Sequence, residues 1–105
     1  MQIQINTDHN IEGREELAAH VKGMVEDALD RFEDGITRVE VHLSDQDGGK
    51  SGPNDKRCMM EARMEGRKPI AVTHDAATVD KAVEGAAQKL HRSIQHTLER
   101  TRDRH

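Results

Sequence analysis

ITRVEVHLS, residues 36–44, is the stretch whose reading decides the fold. Val39, Val41 and Leu43 face one way, while Arg38, Glu40, His42 and Ser44 face the other. This period of two makes a strand with one apolar and one polar face. Such a strand needs a cover on its apolar side only, so the segments around it should be amphipathic.

Upstream, from about residue 13 to residue 33, Leu17, Val21, Met24, Val25, Ala28, Leu29 and Phe32 recur at spacings of three and four. That spacing predicts a helix with one apolar face, stopped by Gly35. Before it, Ile3 and Ile5 alternate with Gln2, Gln4 and Asn6 in a short half-buried strand, and residues 8–10 have turn chemistry.

Downstream, DQDGGKSGPND (45–55) reads as a flexible loop. Alternation resumes over 56–65, with Cys58, Met60, Ala62 and Met64 set against Arg57, Met59, Glu61, Arg63 and Glu65. GRKP (66–69) suits a tight hairpin connection, and Ile70 and Val72 begin a fourth strand. Asp75 or Thr78 can cap a final helix that buries Val79, Val83, Ala86, Ala87, Leu90, Ile94 and Leu98. The predicted fold is therefore α+β, with element order βαβββα: a two-layer sandwich of a four-stranded sheet with two helices on one face. A right-handed crossover would make the first two strands parallel neighbours and leave the other sheet face to solvent. One domain is expected over 1–101, with 102–105 as a frayed tail.

A chain of 105 residues with 33% hydrophobic residues has room for one lean core. No run approaches the ~18 apolar residues that cross a bilayer. The opening MQIQIN (1–6) suits neither a signal nor a transit peptide, so a soluble, cytoplasmic protein without membrane contact is expected. Cys58 is the single cysteine, which excludes an internal disulfide and fits a reducing compartment.

The net charge of −4 is unevenly spread. Residues 1–55 carry 5 Lys/Arg against 13 Asp/Glu, and residues 56–105 carry 11 against 7. At roughly 100° per residue, Lys89, Arg92, His96 and Arg100 gather on one side of the last helix, away from Leu90 and Ile94. A cationic row of this kind neutralises phosphates and releases their counterions. Basic residues near a helix C-terminus also suit the macrodipole, so the row alone admits a plain solvated face. There is no Trp or Tyr, and Phe32 sits on a core face, so bases have no exposed aromatic platform. Recognition of folded RNA by shape and phosphate remains open.

Other chemistry is sparse. Gly49-Lys50-Ser51 imitates the end of a phosphate-binding loop, but Ser44 stands where its first glycine belongs and Pro53 where a helix should begin. Of the seven histidines, His91 and His96 are five apart rather than the three or four that share a helix face, and no cysteine pair exists. Ordinary surface histidines, a buried structural Cys58, no metal, no cofactor and no enzyme activity are the expectations.

Several of these segments resemble the short hibernation-promoting factors and ribosome-associated inhibitors of bacteria. MQIQI (1–5) is similar to that family's first strand, and NIE (10–12) followed by Leu17 and Val21 to its entry into the first helix. Ile36, Thr37, Val39, Val41, Leu43 and Ser44 match its second strand; Lys89, Leu90, Arg92, Ile94, His96 and Arg100 match its basic second helix. The resemblance implies a fold like the double-stranded-RNA-binding domain. It also implies a site on the small ribosomal subunit, in the decoding region where messenger and transfer RNA would bind, and so translation inhibition by occupancy. Carried over by position, it implies phosphate contacts from Lys89, Arg92, His96 and Arg100. The chain departs from the family at Gly23, Met24 and Asp27, where lysines are usual, at Asp80, where an aromatic is usual, and at Arg14 in place of a capping threonine. These departures shift the expected RNA contact toward the last helix and the outward strand residues Arg38, Arg57 and Arg63. The alternative expectation is a stress-response adaptor of the same fold, with weak or no ribosome binding. In that reading the acidic first helix (Glu15, Glu16, Glu26, Asp27, Asp30 and Glu33) meets a basic protein partner.

Overall fold

Four strands lie side by side in sequence order, β1 (Gln2–Thr7), β2 (Ile36–Asp45), β3 (Lys56–Met64) and β4 (Ile70–Ala76). The computed structural model describes residues 1–8, 13–45 and 55–103, with side chains through Arg100. Helix α1 (Arg14–Leu29) connects β1 to β2, which pair in parallel, and the other two pairings are antiparallel. Helix α2 (Val79–Asp103) follows β4. The turn expected near residue 9, the loop 46–54 with its Gly49-Lys50-Ser51 triplet, and residues 104–105 of the tail lie outside the described residues.

Both helices cover one sheet face. Val21, Val25 and Leu29 of α1, and Val83, Ala86, Leu90 and Ile94 of α2, close over Val39, Val41, Leu43, Cys58, Met60 and Ala62; all are buried. The predicted alternation holds along β2 and β3. At the start of β2 it is broken by a bulge: Ile36 pairs with Met64 and Arg38 with Arg63, leaving Thr37 as the extra residue. The Thr37 hydroxyl donates to the Arg63 carbonyl at 2.9 Å. This lets Ile36 and Val39, three apart, both point into the core.

The ends of the helices follow local chemistry. Gly13 is the N-cap of α1 at φ 66, a left-handed conformation that glycine adopts without steric cost, and it supplies no side-chain cap. At the start of α2, the Thr78 hydroxyl accepts from the Lys81 N–H at 3.1 Å. Gly66, at φ 73, makes the turn between β3 and β4, where the Arg67 N–H reaches the Met64 carbonyl at 3.1 Å.

The first helix is shorter than its periodicity predicts. It ends at Leu29, and Asp30–Gly35 is a 3-10 helix. A continuing α-helix would offer the Ala28 carbonyl to the Phe32 N–H. That carbonyl, at the end of the helix, accepts from His91 Nδ1 on α2, at 3.0 Å. The tighter coil swings Phe32 into the core, where its ring meets the His91 ring with centroids 4.9 Å apart. His91 is thus a tie between the two helices rather than a plain surface histidine. Since a carbonyl can only accept, the proton sits on Nδ1.

Candidate nucleic-acid interface

The cations singled out from sequence occupy two faces with different electrostatic surroundings. On the open sheet face, cross-strand register brings charges together in rows: Arg38 stands opposite Arg63, and Glu40 opposite Glu61. Like charges directly opposite would repel. The side chains relieve this along and across the strands. Arg38 bonds Glu40 at 3.0 Å and also reaches Gln4, Arg63 bonds Glu61 at 3.1 Å, and Arg63 lies 3.8 Å from Glu40. Two guanidinium groups and two carboxylates thereby form a closed, charge-balanced patch.

Arg57 is neutralised in the same way, through two contacts to Asp75 at 2.8 and 3.3 Å. Those hydrogen bonds hold the Asp75 carboxyl below the usual carboxylate range. All three strand arginines are therefore engaged by acids.

The α2 cations are held differently. Lys89, His96 and Arg100 fall within about 40° of one another on the flank beside β4, and Arg92 lies on the crest, on the count of 100° per residue. All four are exposed. Lys89 Nζ donates to the Thr73 carbonyl on β4 at 2.8 Å, which anchors the ammonium while leaving it two further donors. Among the described residues, Arg92, His96 and Arg100 have no acidic partner; Glu99, the acid beside them, accepts from Gln95 at 3.2 Å. The row is thus clustered and unneutralised.

The fold adds one residue that sequence spacing did not single out. Pro69 and Ile70 share a cleft with Ser93, His96, Thr97 and Arg100, so the β3–β4 connection arrives beside the C-terminal half of α2. That residue is Lys68, exposed and next to Pro69 on the connection. The GRKP turn was the available signal, but nothing local shows which helix it approaches.

Cys58 is fully buried, and burial pushes its thiol up to about 12, which suits a core side chain and not a nucleophile. At the root of the 46–54 segment, Lys56 bonds two buried carboxylates, Asp55 at 3.0 Å and Asp45 at 3.1 Å, and these bonds raise its pKa. Among the described residues, no three His, Cys, Asp or Glu side chains are grouped to hold a metal, and no helix is long and apolar enough to cross a membrane.

The family model described as Sigma 54 modulation protein / S30EA ribosomal protein matches residues 3–102. Among solved structures, the Protein Y N-terminal domain of Thermus thermophilus superposes with a TM-score of 0.71 at 22% identity, covering 92% of this chain and 99% of that one. A ribosomal subunit interface protein from Coxiella burnetii superposes with a TM-score of 0.72 at 15% identity, covering 94% and 99%. No curated protein sequence is significantly similar to this chain. At these identities the two structures establish the four-stranded α+β fold.

Proposed function

Because this chain belongs to the Sigma 54 modulation protein / S30EA ribosomal protein family, whose members are ribosome-associated modulation proteins, we propose that it holds ribosomes inactive by laying the exposed flank of α2 against ribosomal RNA of the small subunit. The decoding region is the proposed seat, and exclusion of messenger and transfer RNA the proposed effect. The place of action is then the cytoplasm.

One observation carries the reading: Arg92 and Arg100, with His96 between them, form an exposed row that has no acidic partner among the described residues, whereas the strand arginines are neutralised by carboxylates. A phosphate approaching α2 displaces only mobile counterions, whereas one approaching Arg57 competes with Asp75. Arg38, Arg57 and Arg63 serve as secondary contacts at most. Inhibition of this kind works by occupancy and needs no chemical step, so neither cofactor nor metal enters it.

Sedimentation with ribosomes through sucrose gradients tests the reading. The triple variant Lys89→Glu, Arg92→Glu, Arg100→Glu should leave the ribosomal fractions while its circular dichroism is unchanged. The pair Arg92→Glu, Arg100→Glu breaks no hydrogen bond or ion pair among the described residues and separates binding from folding. Undiminished cosedimentation of that pair would refute the role given to α2.

A further inference from the structure

The two edges of the sheet are treated differently. On β4, Lys89 occupies the Thr73 carbonyl. On β1, nothing among the described residues is hydrogen-bonded to the outer side. The bond from the Asp8 N–H to the Leu43 carbonyl sets the phase. Because backbone groups alternate in direction along a strand, Gln4, Asn6 and Asp8 address β2, and Ile3, Ile5 and Thr7 turn their N–H and C=O groups outward. The strand Gln2–Thr7 contains neither a charged residue nor a proline, two of the devices that ordinarily discourage edge pairing.

What overlooks this edge is acidic. The side of α1 bearing His20 and Ala28 meets α2, through Asp80 at 3.2 Å and through His91. The opposite flank, where Lys22 and Glu26 lie about 160° from the middle of that side at 100° per residue, therefore stands over β1. There Lys22, Glu26, Asp30 and Glu33 line one cleft with Met1. The rim holds three carboxylates against the Lys22 ammonium and the Met1 amino terminus, an acidic balance, and none of them has an ion-pair partner among the described residues.

We propose that β1 accepts an extended basic peptide segment of a partner protein as a fifth strand. The peptide's main chain pairs with Ile3, Ile5 and Thr7, and its Lys or Arg side chains lie against Glu26, Asp30 and Glu33. Main-chain bonds supply affinity in this mode of recognition, and the rim selects the charge. A second copy of this chain is a poorer occupant, because its own β1 offers the rim no cation. The surface is one that the RNA reading does not use, so the two stand or fall separately.

The test uses a short synthetic peptide alternating valine and lysine, titrated against the full chain. Hydrogen exchange should show new protection at the Ile3, Ile5 and Thr7 amides. Methylating alternate backbone nitrogens of the peptide should abolish binding, and the variant Glu26→Lys, Asp30→Lys, Glu33→Lys should weaken it by about tenfold or more. Binding that survives backbone methylation, or that leaves those three amides unprotected, overturns the proposal. So does equal protection of the same amides by self-association without peptide.

Discussion

The imidazole of His74 on β4 lies where any side chain on Gly85 of α2 would have to go. A Cβ built on Gly85 overlaps the ring, including its Cγ root, so the ring cannot simply tilt aside. In an exposed helix, Gly→Ala gains about 1 kcal/mol. Here overpacking reverses the sign, and Gly85→Ala should destabilise by about 1–3 kcal/mol. Against a His74→Ala background the same change should be neutral or favourable. Urea denaturation of the four-member cycle measures this coupling, and additive effects would show that the ring moves freely.

His91→Ala removes both the bond to the Ala28 carbonyl and the ring contact with Phe32. A loss of about 1–3 kcal/mol is expected. Hydrogen exchange should rise first in the 3-10 segment Asp30–Gly35, since that coil depends on the tie. Exchange that rises uniformly over the chain would show His91 to be an ordinary core contact.

Arginine positions should separate in their salt dependence. Each phosphate contact contributes about 0.7–0.9 to the slope of log affinity against log salt. Arg92→Ala and Arg100→Ala should each lower the slope of ribosome binding by about that amount. Arg57→Ala frees Asp75 without exposing a new cation, so it should leave the slope nearly unchanged. Equal effects at Arg57 and Arg92 would contradict the division between engaged and free cations.

Two groups give opposite pH dependences. The Cys58 thiol is raised from 9.0 to about 12 by burial, so between those values the unfolded chain has released a proton that the folded chain keeps. Stability then falls with rising pH, by up to about 1.4 kcal/mol per unit. Cys58→Ala should remove that component from an alkaline series of urea curves. Asp75 has its pKa lowered, chiefly by the hydrogen bond from Arg57, so its contribution is complete above the ordinary carboxylate range. It disappears as pH falls through the lowered value. The difference between wild type and Asp75→Asn should therefore vanish on acidification.

The strands and helices were readable because each has a single buried face, so period alone identifies them. Val39, Val41 and Leu43 are inward as their alternation requires. What period cannot reveal is a contact made from far along the chain. His91 reaches the end of α1 from 63 residues away, and the Thr37 bulge in β2 is fastened to Arg63 on the neighbouring strand. The cations divide along the same line. Arg38 with Glu40, and Arg63 with Glu61, are two apart on one strand face, so their pairing was visible in principle. Arg57 with Asp75 needed the β3–β4 register, and the anchoring of Lys89 on Thr73 needed the packing of α2 on the sheet edge.

The balanced patch formed by Arg38, Glu40, Glu61 and Arg63 has a consequence for motion before contact. With the sheet face electrically quiet, the molecule's field is dominated by the helical layer, negative along α1 and positive along the outer flank of α2. A body with such a moment turns in the field of a polyanion as a compass needle turns, presenting α2 first. With ribosomal RNA as the proposed partner, orientation would be settled during diffusion, and productive arrivals would outnumber those of a uniformly charged sphere of equal size.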